Sequence, residues 1–253
     1  MFYTIKLKAA LPRFIFFMLI LFAIALALHY NTLDTSLDER TVSFDRYISD
    51  SLLYDSTLVI DAGHGGEDGG AVSSGTVESV INLQIAKKLE QVSGLWGVPV
   101  VMTRENDEII YPGDASTTKA RKAFDQKQRV DLINSIPNPV LLSIHQNKFT
   151  TSQPSGVQVL YGKAGGSLEL GNITHANLVE CLNPGSRRIA APISDSIYLM
   201  RMVECPAILV ECGFLSNNTE RALLESPDYQ VKIAAVLMAS YVQWTEEDGI
   251  MHR

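Results

Sequence analysis

Two histidines and two glutamates stand where a hydrolytic metal centre could be built. An apolar run over residues 58–61 leads into Gly63-His64-Gly65-Gly66. A second run, 140–144, ends at His145 with Asn147 beyond it, and a third, 207–210, ends at Glu211, followed by Gly213. In open α/β sheets, ligands gather just outside the carboxyl ends of the strands. If these runs are adjacent parallel strands, His64, His145 and Glu211 meet on one edge. Two imidazoles and one carboxylate are a normal protein ligand set for catalytic zinc, with the fourth position left to water. Spacing does not fix the third ligand. Glu78 is the best placed, in the opening turn of the helix expected after Thr76, but an acid there also serves simply to oppose the positive end of the helix dipole.

The glycines around His64 let the backbone turn sharply and approach a neighbour without Cβ clashes. A phosphate-cradling loop is the rival reading, and it fails because the run has neither the Walker lysine nor the spacing of a dinucleotide fingerprint. The three cysteines, Cys181, Cys205 and Cys212, have no metal-ribbon or redox spacing and are expected to be small core residues, with one disulfide open to an exported domain. Strand alternation should point the Cys212 thiol away from whatever Glu211 faces.

Elements able to position these groups are visible along the chain. Short β-branched and apolar runs at 58–61, 98–103, 140–145, 157–161 and 207–211 alternate with helical patterns. This predicts a single α/β domain with a central, mostly parallel mixed sheet flanked by helices. Ile81, Ile85 and Leu89 recur at helical spacing, as do Ala120 and Phe124 and, further on, Leu132 and Ile136, each a stripe that can cover the sheet. Ser226-Pro227-Asp228 reads as an N-cap, first-turn proline and first-turn acid, so the fold should close with a helix presenting Tyr229, Ile233, Val236 and Leu237 on one face.

The chain has 253 residues, a formal net charge of -7, 46% hydrophobic and 19% charged residues. That suffices for one globular domain plus a short appendage. It lacks the positive field that nucleic acid requires. Lys6, Lys8 and Arg13 precede an unbroken apolar stretch over 14–28, an export signal whose basic flank stays in the cytoplasm. The stretch is shorter than the roughly 20 residues that span a bilayer comfortably, and Ala25-Leu26-Ala27 resembles a cleavage site. Residues 1–28 therefore read as a signal peptide or membrane anchor, residues 29–56 as a polar linker, 57–245 as the folded domain and 246–253 as a tail.

At this point the motifs become recognisable. Ile60-Asp61-Ala62-Gly63-His64-Gly65-Gly66 with Asp68 and Gly70, Glu78 with Asn82-Leu83, Thr103-Arg104, Ser143-Ile144-His145-Gln146-Asn147, and residues 210–217 from Val210-Glu211 to Ser216-Asn217 occur in order across nearly the whole folded part. As a set they resemble the zinc-dependent N-acetylmuramoyl-L-alanine amidases, and the stretch 197–213 is similar to the short enzymes of spore-forming Gram-positive bacteria. The resemblance implies one Zn2+ ion on His64, Glu78 and His145, Glu211 as the catalytic carboxylate, and peptidoglycan as substrate outside the cytoplasm. A cortex role, removing stem peptides so that muramic acid can cyclise to its lactam, goes with that branch; a protein activator is left open. The part 165–200 departs from the family pattern, with no lysine in Ser186-Arg187-Arg188-Ile189-Ala190-Ala191. Asp61, Asn147 and Asn217 could orient ligands, fix loops or touch substrate, since ligand imidazoles donate their second nitrogen to an oxygen acceptor. Arg104 and Arg129 are expected as structural ion-pair partners, and neither His29 nor His175 as a ligand. The same scaffold would also serve a zinc carboxypeptidase acting on the stem peptide, or a catalytically inactive wall-binding protein.

Overall fold

A computed structural model of the protein describes residues 54–247. The leader, most of the linker and most of the tail lie outside the described residues. Among the described residues no helix is long and apolar enough to cross a membrane. The linker boundary expected at residue 56 falls inside the folded part. Tyr54 is buried with its ring 6.2 Å from that of Tyr241, and the Ser56 and Tyr241 hydroxyls lie 2.7 Å apart.

The strands are β1 (Thr57–Ala62), β2 (Val72–Ser73), β3 (Thr76–Val77), β4 (Val100–Met102), β5 (Pro139–Asn147), β6 (Gln158–Tyr161), β7 (Ala191–Pro192) and β8 (Ala207–Phe214). The helices are α1 (Glu78–Leu95), α2 (Thr118–Ser135), α3 (Ser167–Leu182), α4 (Tyr198–Met202), α5 (Asn218–Leu224) and α6 (Pro227–Glu247). Six strands form one sheet in the order β4-β1-β5-β8-β6-β7. The first four are mutually parallel, and β6 runs antiparallel to β8. The mixed, mostly parallel sheet inferred from the sequence is therefore present, and all five strand runs fall on strands.

Successive side chains on a strand point to opposite faces, and the two faces of this sheet carry different loads. Leu58, Ile60, Val140, Leu142, Ile144, Ile208, Val210 and Cys212 join one core cluster with Ile81, Ile85 and Leu89 of α1, Leu170 and Leu178 of α3, and Ile233, Leu237, Tyr241 and Trp244 of α6. Val59, Leu141 and Leu209 face the other way, into a smaller cluster with Val130 and Ile133 of α2 and Leu199 and Met200 of α4. Asp61, Ser143, His145 and Glu211 share the alternation of this second set. The chemistry is thus placed on the lightly covered face, at the carboxyl ends of β1, β5 and β8.

Two expectations need correction. The buried face of α2 is Arg129, Val130 and Ile133, and Ile136 just past its end packs on the same cluster; Leu132 is half-buried beside that face, and Ala120 and Phe124 are half-buried because only the C-terminal half of the helix reaches the sheet. Of the cysteines, Cys205 and Cys212 are buried but Cys181 is exposed, and all three are free.

Candidate metal centre

The centre grows from three local structures. β1 ends at Ala62, Gly63 N–H continues the ladder by donating to Ile144 O, and the chain then turns with His64 at φ 61°. That left-handed value is uncommon for a residue with a side chain, and here the turn is pinned from beneath. Arg129 donates to Ala62 O at 2.9 Å and His64 O at 2.6 Å; Arg104 donates to Ala62 O at 2.8 Å and Gly63 O at 3.2 Å. Next, β2 and β3 form a hairpin whose two-residue turn has Ser74 at φ 50° and Gly75 at φ 89°, a twist that matches paired strands. The hairpin delivers the chain directly into α1, so Glu78, its first residue, faces back to the β1 loop. Finally, His145 and Glu211 are register partners on the parallel strands β5 and β8, which puts their side chains side by side.

These residues meet. Glu78 Oε1 lies 2.9 Å from His145 Nδ1 and 3.3 Å from His64 Nε2, and the two imidazole rings stand edge to face with centroids 5.0 Å apart. One ligand atom from each of the three residues falls within 4.8 Å of the others, close enough to surround one ion. Glu78 is further held by Ala71 N–H at 2.8 Å on Oε2 and Gln146 N–H at 3.1 Å on Oε1. Its carboxylate is thus turned to the imidazoles.

The surroundings tune the charges. Burial alone would raise the Glu78 carboxyl, but hydrogen bonds and charge from His145 and His64 hold it well below the usual carboxylate range. Burial pulls the His64 imidazole down, and the Glu78 and Asp68 carboxylates outweigh it, so its pKa is raised. Asp68 Oδ2 sits 3.0 Å from His64 Nδ1 and 2.7 Å from Lys122 Nζ. Against burial, those two partners depress the Asp68 carboxyl to about 2. Glu211 differs from all of these. Burial, with a smaller push from Glu78, lifts it to about 7, and its Oε2 is buried without a hydrogen-bond partner.

His145 stacks on Gly63 so closely that a Cβ there would stand 2.7 Å from the imidazole Cδ2 and nearer still to Nε2 and Cε1. The glycine beside His64 therefore makes room for the other histidine.

The remaining candidates divide. Asp61 touches no imidazole by hydrogen bond; it accepts from Arg129 at 2.8 Å, Thr103 at 2.7 Å and Ser143 at 2.6 Å, and Arg129 also pairs with Asp125. Asn147 lines the cleft above the centre. Asn217 is outside it, and its side chain caps α5 by accepting from Thr219 and Glu220 N–H. His175 is buried in α3 and does not join the metal-binding group. Sequence reasoning gave Asp68 no role in the centre, although its spacing of four residues from His64 was a signal, and it missed the grip of Arg104 and Arg129 on the loop carbonyls, which left none.

Over the centre lies a cleft of about 860 Å³. Comparison with known proteins identifies the family of the chain. A family model described as N-acetylmuramoyl-L-alanine amidase matches residues 58–240. The chain is 35% identical over 193 residues to the germination-specific N-acetylmuramoyl-L-alanine amidase of Bacillus subtilis, covering 76% of this chain and 81% of that protein. It is 27% identical to N-acetylmuramoyl-L-alanine amidase LytC of the same organism, over 72% of this chain and 34% of that one. Among solved structures, the CwlD amidase from Clostridioides difficile, in complex with the GerS lipoprotein, superposes with a TM-score of 0.73 at 35% identity, covering 76% of this chain and 99% of that one.

Proposed function

As the chain belongs to the N-acetylmuramoyl-L-alanine amidase family, it is a hydrolase of the amide bond between N-acetylmuramic acid and L-alanine in peptidoglycan, and we propose that it works with one zinc ion held by His64, Glu78 and His145. The convergence of two imidazole nitrogens on one buried carboxylate oxygen carries this reading. The donor set fits the ion in kind, two nitrogens and one oxygen. It also fits in support. With Asp68 on His64 Nδ1, the proton is kept on that nitrogen and Nε2 is left to ligate, as carboxylates behind metal-bound histidines do. When bound, zinc would polarise the scissile carbonyl and lower the pKa of water from 15.7 to about 7.

The other roles belong to protein groups. Glu211 sits beside His145 with an unpartnered oxygen, and on this reading it takes a proton from the attacking water and returns it to the departing amine of L-alanine. In the metal-free protein burial raises this carboxyl, the direction that favours a group able both to take up and to give back a proton. Arg104 and Arg129 keep the His64 loop in its left-handed turn while this happens.

Membership of a family of cell-wall amidases implies action outside the cytoplasm. The similarity to a germination-specific enzyme supports a place in spore cortex, where stem-peptide removal lets muramic acid close to its lactam. The basic flank and the apolar stretch 14–28 support a membrane tether for the same enzyme; recovery of the full-length chain in the soluble fraction of its host would refute that part.

The decisive experiment is to incubate the purified protein with peptidoglycan, with and without a chelator, and identify the fragments by mass. New amino-terminal alanine that disappears with the metal is the expected result. Release of carboxy-terminal stem residues would indicate a carboxypeptidase instead, and activity indifferent to chelation would overturn the metal assignment.

A further inference from the structure

The N-terminal half of α2 does not pack on the sheet. Lys119, Lys122, Ala123, Gln126 and Lys127 line the cleft, and their spacing of three, one, three and one residues marks a single helical face. The same helix turns Val130 and Ile133 to the core only after this stripe ends. Lys148 adds a fourth ammonium to the cleft lining, so a protein of formal net charge -7 carries four lysines around its candidate active site. Ile197, Tyr198 and Met200, on and before the short helix α4 that packs against α2, add apolar surface and a phenol to the lining. Positive charge in the lining comes from α2 and from Lys148, and the Lys148 ammonium already donates to Val72 O at 2.7 Å.

Lys122 fixes the level of the stripe. It pairs with Asp68, which in turn bonds His64, so its turn of helix is level with the metal centre. At a rise of about 1.5 Å per residue, Lys119 stands about 4.5 Å to one side along the helix and Lys127 about 7.5 Å to the other. An extended peptide advances about 3.3–3.6 Å per residue. For a stem laid along α2, both cations then lie within about two residues of a bond held at the centre. Lys127 pairs with Asp131 one turn on, whereas Lys119 forms no ion pair among the described residues. Its charge is the one on the stripe without a carboxylate of its own.

We propose that this face of α2, with Lys119 as its principal cation, binds a free carboxylate on the stem peptide within two residues of the scissile bond, so that the enzyme prefers acidic stems over amidated ones. The proposal rests on the amidase reading above and specifies the substrate within it.

The test compares the full-length metal-loaded enzyme on peptidoglycan before and after chemical amidation of its carboxylates, reading kcat/KM from new amino-terminal alanine. The native polymer should be favoured about threefold to tenfold, chiefly through KM, as binding shared by ground and transition states requires. The preference should shrink in high salt as the Debye length falls. Lys119→Met should bring the ratio close to one and Lys119→Glu below one, while Lys87→Met, on the exposed face of α1 away from the cleft, should leave it unchanged. Equal wild-type rates on the two polymers, or a ratio unmoved by both Lys119 variants, would overturn the carboxylate assignment and leave the amidase reading standing. If neither polymer released amino-terminal alanine, the amidase reading would fail and this inference with it.

Discussion

Gly63→Ala offers a test in which one methyl group is aimed at one metal ligand. The backbone at Gly63 is not among the left-handed positions, so alanine is tolerated there conformationally and the whole effect falls on its neighbour. The new Cβ would lie 2.7 Å from His145 Cδ2, with two other ring atoms closer, whereas non-bonded carbons settle at about 3.5–4.0 Å. The imidazole must retreat by roughly 1 Å. Metal–ligand distances tolerate only about 0.2 Å, so His145 would leave the coordination sphere or drag it out of shape. Loss of a residue that merely supports a ligand costs about 10–100-fold in metal affinity; displacing the ligand itself should cost at least about 100-fold, near 2.7 kcal/mol. The assay is competition for zinc against a chromophoric chelator, with a thermal melt of the metal-free protein alongside. Gly94→Ala, where the added Cβ meets nothing within 4 Å, serves as control and should leave zinc affinity unchanged. If Gly63→Ala bound zinc as tightly as wild type and kept full turnover, His145 would not be a ligand and the argument built on the meeting at Glu78 would collapse.

Three further outcomes are expected. Glu211→Gln should lower kcat by about 10²–10⁴ while zinc content, measured by atomic absorption, stays at one ion; substantial residual turnover would remove Glu211 from the role of base. Arg129→Met should destabilise the fold by about 3–5 kcal/mol in urea titration, because it leaves the buried Asp61 carboxylate without its counter-charge, and a loss below 1 kcal/mol would refute that account. In metal-free protein, Glu211 is lifted by burial to about 7, above its unfolded value of about 4.3. The native state therefore binds that proton more tightly, and the resulting stability is lost as pH rises from the unfolded value through 7. Glu211→Gln should accordingly gain on wild type by about 3 kcal/mol between pH 4 and pH 8; a difference independent of pH would contradict the buried, unpaired carboxyl.

The parallel core was legible because β1, β5 and β8 are buried on both faces, and such strands appear in sequence as short continuous apolar runs. Helix α1 was legible for a different reason: Ile81, Ile85 and Leu89 all meet the same cluster, so one stripe records one packing partner. Helix α2 misled on the same logic. Its first half faces a cleft and its second half the sheet, and a helix with two environments along its length has no single apolar period to read.

The metal centre shows where such reading ends. His64, His145 and Glu211 announce themselves because each terminates an apolar run at the edge where parallel sheets expose their ligands. Glu78 does not, since a carboxylate at a helix start has a sufficient local reason to be there; only the hairpin turn that aims α1 at the β1 loop gives it another, and that turn acts through direction, which spacing does not encode. Arg104 and Arg129 are more hidden still. They reach the loop from 41 and 65 residues away and bond its carbonyls, groups that every residue possesses. A sequence can display a ligand by its type, but a side chain that acts on bare backbone is visible only once the backbone has a shape.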